Sequence, residues 1–269
     1  MPLDLWLIDA FTDRPFAGNP AGVCHLAAPK PDEWMQALAR EMNQAETAFL
    51  LPAKTGYQLR WFTPTLEVDL CGHATLASAH YLWETRRLKP RETAKFSTRS
   101  GVLTARKASG WITLDFPATP PEPCEPAAYL LAAFKLNDAK VLRSRFDYML
   151  VVDDPAKVRA LVPDWRLLGA VETRGVIVTA PSDVPDVDFI SRFFAPGAGV
   201  DEDPVTGSAH CALAPYWAER LGRKTLIGYQ ASARGGTVRV EHAGERVLLG
   251  GKAVTVLKGA FSEPRASPR

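Results

Sequence analysis

Few cysteines, no long apolar run and almost no net charge set the first limits on this 269-residue chain. Its four cysteines are Cys24, Cys71, Cys124 and Cys211. None stand in Cys-x-x-Cys spacing, so no zinc knuckle or dithiol redox motif is expected, and reduced thiols in a cytoplasmic protein are. No stretch approaches the roughly 18 apolar residues of a membrane helix. The Met1-Pro-Leu-Asp start lacks the basic segment of a signal peptide. Thirty-two basic residues nearly balance 30 acidic ones, and the only basic runs are pairs such as Arg86-Arg87 and Arg223-Lys224. Neither nucleic acid nor a membrane is therefore an expected partner. A Gly-x-Gly-x-x-Gly turn, a P-loop and a Gly-x-Ser-x-Gly elbow are also missing, which disfavours dinucleotide binding, NTP binding and a serine-hydrolase triad. His73 with His80, and His210 beside Cys211, lack metal-ligand spacing, so no metal and no cofactor are expected.

What is present is a soluble-type composition and many short strands. Hydrophobic residues make up 46% and charged residues 23%, ordinary for a globular chain. At roughly 150 residues per domain, two domains are expected. Strand signals cover Leu3–Phe11, Ala21–Leu26, Glu46–Leu51 and the alternating Tyr57, Leu59, Trp61 segment. They continue over Ala94–Thr98, Val102–Lys107 and Trp111–Phe116, and again over Tyr148–Val152, Gly175–Thr179, Phe189–Phe194 and the tail from Leu226 to Leu257. Asp32 is expected to cap a helix carrying Trp34, Leu38 and Met42. Shorter helices are expected near 127–134 and 156–161, and long ones over 73–87 and 208–221. Strands and helices do not alternate regularly, so a doubly wound parallel sheet is disfavoured and an α+β fold expected. Five prolines between 117 and 126 mark residues 118–126 as a linker. This gives an N-terminal domain over 1–117 and a C-terminal domain over 127–252, with the strand near 253–261 returning to the first. Residues 262–269 are expected to be disordered.

The two long helices share a pattern. Leu70-Cys-Gly-His-Ala-Thr-Leu-Ala-Ser-Ala-His-Tyr81 and Val205-Thr-Gly-Ser-Ala-His-Cys-Ala-Leu-Ala-Pro-Tyr216 each run from a glycine into small residues. Placing Gly72 on Gly207 also aligns Ala74 with Ala209, Ala77 with Ala212, Ala79 with Ala214 and Glu84 with Glu219. Upstream, Trp61-Phe62-Thr63-Pro64 matches Phe193-Phe194-Ala195-Pro196, with a loop three residues longer in the second copy. The repeat implies two pseudo-symmetric domains, each a curved, mostly antiparallel sheet around one helix. Both helix starts are then expected to point into one cleft, a site for an anion such as a carboxylate, because each offers unpaired N–H groups and the positive dipole end.

Four polar residues stand near these features. Glu46 heads the apolar strand Glu46–Leu51; it is either an exposed strand-start carboxylate or a general base whose pKa partial burial raises. His73 follows Gly72 at a helix start, where the dipole disfavours imidazolium; it is a neutral hydrogen-bonding group of the site or a core histidine. Asp203 and Ser208 flank the second helix start, as caps or as ligands of a substrate.

Four motifs in order along the chain then resemble one family. They are Asp9-Ala-Phe-Thr with Phe16-Ala-Gly-Asn-Pro-Ala-Gly-Val23, Asn43-Gln-Ala-Glu-Thr-Ala-Phe49, Leu70-Cys-Gly-His-Ala-Thr75, and Glu202-Asp-Pro-Val-Thr-Gly-Ser-Ala209. They resemble the PhzF-like (phenazine-biosynthesis isomerase) family over nearly the whole chain. The resemblance implies a diaminopimelate-epimerase-like fold and cofactor-free isomerisation of a small carboxylate-bearing metabolite by proton transfer. It implies Glu46 as the catalytic acid/base, His73, Asp203 and Ser208 as residues shaping the site, and Gly72 and Gly207 as carboxylate-binding. Epimerases of the same fold carry a thiol at each helix start. Here Cys71 occupies the first position and Thr206 the second, which argues against a two-thiol racemase. The alternatives are a racemase or epimerase using Cys71, and a metabolite-binding or interaction protein without catalysis. A homodimer is the expected assembly, from the general preference for closed pairs.

Overall fold

The computed structural model describes residues 3–261, so the tail expected to be disordered lies outside the described residues. The chain divides into two units. The first comprises residues up to Phe16, Pro20–Ile112 and residues from Lys252 onward; the second comprises Ala17–Asn19 and Thr113–Gly251.

The first unit runs β1 (Leu3–Ala10), β2 (Asn19–His25), α1 (Asp32–Met42), β3 (Glu46–Pro52), β4 (Tyr57–Phe62), β5 (Glu67–Val68), α2 (Gly72–Glu84), β6 (Ala94–Thr98), β7 (Gly101–Ala108) and the start of β8 (Trp111–Pro117). β2 and β3 are parallel, joined through α1; β3 and β4 are antiparallel, and β4 pairs antiparallel with β5 and parallel with β6. The last strand, Ala253–Phe261, lies antiparallel to β1 from Leu3↔Phe261 to Ala10↔Ala253. Met35, Leu38 and Ala39 of α1 bury against Phe49, Phe62, Cys24 and Leu26. At roughly 25 cal/mol per Å² of apolar surface, this face is what holds an 11-residue helix that is marginal on its own. Asp32 is not its cap. Pro31 takes the N-cap position, Asp32 is the first helical residue, and its carboxylate accepts from Arg60 Nη1 at 2.8 Å. Helix α2 stops at Glu84, short of the expected 87, because Arg86 turns left-handed at φ 58°.

The second unit runs β9 (Glu122–Pro123), α3 (Leu130–Phe134), β10 (Lys140–Arg143), β11 (Asp147–Val151), α4 (Pro155–Arg159), α5 (Trp165–Leu168), β12 (Gly175–Pro181), β13 (Phe189–Ala195), β14 (Val200–Asp203), α6 (Gly207–Leu221), β15 (Thr225–Gln230), β16 (Gly236–Ala243) and β17 (Arg246–Gly251). The strand Ala253–Phe261 of the first unit is then β18. Leu130, Phe134, Leu150, Val176, Val178, Ile190 and Phe194 form the core under α3–α5. Five elements have no counterpart in the sequence reading: β5, β9, β10, α5 and β14. The last is the acidic run Val200–Asp203, read as loop, which pairs with β13 as Phe193↔Asp203 and Phe194↔Glu202.

The proline-rich segment is tied down within this unit. Ala118 N–H donates to Glu245 C=O at 2.8 Å, Cys124 N–H to Val141 C=O at 3.2 Å, and β9 pairs with β10. Thr119 has a more specific role. Pro215 lies inside α6 and cannot donate to the carbonyl four residues back. That carbonyl, Cys211 C=O, accepts instead from Thr119 N–H at 3.0 Å.

The two units share one element order. β2-α1-β3-β4-β5-α2-β6-β7 in the first matches β11-α4-α5-β12-β13-β14-α6-β15-β16 in the second, with the same sense of pairing at each step. The central helices are buried nearly all round: Ala74, Leu76, Ala77, Ala79 and Leu82 of α2, and Leu213, Ala214 and Trp217 of α6, are fully buried. Small residues at these positions let strands approach the helix closely. The equivalence reaches single side chains. Arg60 binds Glu67 through Nε and Nη2 at 2.6 and 2.7 Å, and Arg192 binds Glu202 in the same way at 2.7 and 2.8 Å.

Candidate active site

Glu46 is the first residue of β3, opposite Ala21 of β2, with its side chain 20% exposed. By the strand registers its counterpart in the second unit is Gly175, which sits opposite Asp147 of β11. A Cβ on Gly175 would run into the ring of Phe193, so the second copy holds no side chain there. The carboxylate is thus particular to the first unit.

His73 is the second residue of α2, and Cys71 is the N-cap residue. The turn into the helix brings both toward the head of β3. His73 Nε2 lies 3.2 Å from Glu46 Oε2, and His73 Nδ1 lies 3.5 Å from Cys71 Sγ. The Nε2 contact is close but not aligned as a full hydrogen bond. Catalytic hydrogen bonds are commonly loose before substrate binds. Burial pushes the His73 imidazole down to about 3, so it is neutral at physiological pH. The sequence reading expected a neutral ring from the helix dipole; burial is the cause seen here.

Glu46, Cys71 and His73 offer donor atoms within 4.8 Å of one another. This is a set of types that could ligate zinc, and the sequence reading did not assemble it, since Glu46 is remote in sequence. The ring faces the thiol with one nitrogen and the carboxylate with the other.

In the second unit Asp203 ends β14, Gly207 opens α6 and Ser208 follows it, half-buried. Asp203 does not cap α6. Its Oδ2 accepts from Thr206 Oγ1 at 2.5 Å and its Oδ1 from Asn19 Nδ2 at 2.7 Å. Burial pushes the Asp203 carboxyl up to about 6, against the lowering effect of those two bonds. Gln230 completes the network, donating to Asp203 C=O at 2.7 Å and accepting from Thr206 N–H at 2.9 Å. Asn19 and Gln230 were not singled out from the sequence. Asn19 stood in the Phe16-Ala-Gly-Asn-Pro motif, which signalled it; Gln230 ends an ordinary strand and gave no signal. The hydroxyl of Thr206, at the position where an epimerase thiol stands, is committed to Asp203.

Neither α2 nor α6 has a side-chain cap, so their first-turn N–H groups are left to water or a ligand. The structure therefore brings Gly72, His73 and Glu46 together in the first unit, and Asp203, Gly207 and Ser208 in the second.

Known proteins agree with this fold and these elements. A crystal structure of a probable proline racemase from Agrobacterium radiobacter K84 superposes with a TM-score of 0.64 at 13% identity, covering 99% of this chain and 94% of that one, a likeness of fold. The chain belongs to the PhzF-like family: the family model for phenazine biosynthesis-like proteins matches residues 8–259. An uncharacterized isomerase of Halalkalibacterium halodurans is 49% identical over 96% of this chain and 98% of that relative. The crystal structure of a PhzF-family phenazine biosynthesis protein from Enterococcus faecalis has a TM-score of 0.93 at 40% identity, covering 98% of this chain and 100% of that one.

Proposed function

We propose that this protein is an isomerase that moves a proton on a small carboxylate-bearing metabolite by general acid/base catalysis, with Glu46 carrying the proton. The observation that carries the reading is the contact between Glu46 and the neutral imidazole of His73 beside the uncapped start of α2. The first-turn N–H groups of α2, from Gly72 on, are proposed to hold the substrate carboxylate. Negative charge that develops on that carboxylate as the neighbouring C–H bond breaks meets fixed donors and the helix dipole. Glu46 takes the proton and returns it at another carbon, so the step needs only protein groups. Asp203, Gly207 and Ser208 are proposed as further substrate contacts, with Asp203, largely ionised at physiological pH, able to receive a substrate amino or hydroxyl group.

The test is hydrogen exchange in heavy water. Wild-type protein is incubated with a panel of amino acids and unsaturated or cyclic carboxylic acids, and deuterium entering carbon is followed by NMR. Exchange abolished in Glu46→Gln supports the reading; exchange undiminished in that variant defeats it.

A second reading has one observation in its favour, the Cys71 thiol at the N-cap of α2 within reach of His73. It makes Cys71 itself a base of a racemase or epimerase. Full activity in Cys71→Ser and Cys71→Ala rules it out.

A further inference from the structure

We propose that Cys71 is a positioning residue whose thiol, by donating to Nδ1 of His73, keeps the ring proton on Nε2 and through His73 holds the Glu46 carboxylate for proton transfer. The proposal rests on the reading of Glu46 as acid/base only for its kinetic arm.

The argument starts from a count of protons. A neutral imidazole has one N–H and one acceptor nitrogen. His73 is neutral, with the thiol of Cys71 at Nδ1 and the carboxylate of Glu46 at Nε2. With the proton on Nδ1, the N–H points at sulfur, a weak acceptor, and the Nε2 lone pair faces a carboxylate. With the proton on Nε2, the N–H points at the carboxylate, a strong charged acceptor, and Nδ1 accepts from the S–H. Only the second arrangement turns a donor toward the carboxylate and an acceptor toward the thiol. In a site where both Cys71 and His73 are buried, no bulk water replaces the lost partner.

The carboxylate favours the Nε2–H form, and the thiol completes it by donating to Nδ1, since the bond made by one ring nitrogen sets the state of the other. The consequence falls on Glu46. An Nε2–H donor holds its carboxylate in one orientation and favours the ionised form that can accept a proton. The thiol stays an S–H throughout and exchanges nothing with substrate.

The test reads the tautomer directly. A long-range ¹H–¹⁵N spectrum of the histidine side chains, with His73 assigned by its absence in His73→Asn, is expected to show Nε2–H in the free wild-type protein. An Nδ1–H signal overturns the proposal. Cys71→Ala is expected to gain the Nδ1–H form and to lose roughly 10-fold in kcat at unchanged KM, the scale of one lost buried hydrogen bond. Cys71→Ser, which keeps a donor, is expected to restore both the tautomer and most of kcat. If both variants keep the Nε2–H form while losing all activity, the thiol is itself the proton carrier and the proposal fails. If Cys71→Ala does not fold, the wild-type spectrum and Cys71→Ser remain decisive. The spectrum needs no substrate, so a failure of the Glu46 reading leaves its result standing.

Discussion

His73 Nε2 lies 3.2 Å from Glu46 Oε2, and the ring that makes this contact is held neutral by burial. A neutral ring beside a carboxylate is not a counter-ion. In the proposed mechanism it orients Glu46 without a salt bridge that would quench its basicity.

The buried histidines make stability depend on pH. Burial lowers His73 to about 3 and His210 to about 4, both below the ordinary 6.5. Between pH 6.5 and 4 the unfolded chain binds protons at these sites that the native chain refuses. Stability is therefore full above pH 6.5 and falls on acidification, by up to about 1.4 kcal/mol per pH unit for each histidine. Asp203 works in the opposite sense. Its pKa is raised to about 6, so the native chain takes up that proton first as pH falls from 6 toward 3.8, offsetting one histidine. In His210→Asn, whose amide can still donate to Thr206 C=O, the stability deficit relative to wild type is expected to shrink between pH 7 and pH 4.5 in urea titrations. A deficit constant with pH counts against buried neutral His210.

The paired arginines give a contrast in magnitude. Arg192 is 11% exposed, binds Glu202 with two nitrogens and also donates to Leu161 C=O at 2.7 Å. Removing it takes a partner from a half-buried carboxylate and from the carbonyls of Val158, Arg159 and Leu161. Arg192→Met is expected to cost about 3 kcal/mol, near the lower figure for breaking a buried pair. Lys157 meets Asp138 with both partners well exposed, and Lys157→Met is expected to cost under about 0.5 kcal/mol. Chemical denaturation of the two variants checks the ordering; equal costs overturn it.

Gly175 tests the repeat. It is the counterpart of Glu46, and the ring of Phe193 fills the space where a side chain would stand. Gly175→Ala is expected to lose about 1–3 kcal/mol by overpacking. A neutral substitution, read from urea midpoints, means that the ring moves aside freely and that packing does not keep this position empty.

The network around Asp203 yields a fourth expectation. Asn19→Ala removes the Nδ2 donor that reaches both Asp203 Oδ1 and Val205 C=O. The loss is expected to destabilise by about 1–3 kcal/mol, the cost of leaving buried acceptors unpaired. It is also expected to raise the Asp203 pKa further, because one of its two lowering bonds is gone. Carboxyl ¹³C NMR over pH reads the shift, and a lowered pKa contradicts the role given to Asn19.

Much of this was legible in the sequence, for reasons that differ by element. The repeat showed because α2 and α6 both need small residues on every face, which leaves a pattern of alanines in register. Glu46 showed because a carboxylate heading an apolar strand is costly. The strand Val200–Asp203 did not show, because its acidic residues lie on a short edge and its pairing with β13 is not a local property. Asp32 was misplaced by one position because Pro31 supplies the non-helical entry that a cap normally makes. The contact of Glu46 with His73 and Cys71 depends on where two separate elements end, and no local pattern records that.

The most direct test of the central assignment is deuterium incorporation at carbon in heavy water, comparing wild type with Glu46→Gln on the same carboxylic acid. Wild type is expected to exchange, and the variant to be slower by about 10²–10⁴, the usual worth of a general base. Equal exchange rates in the two proteins would take the proton transfer away from Glu46.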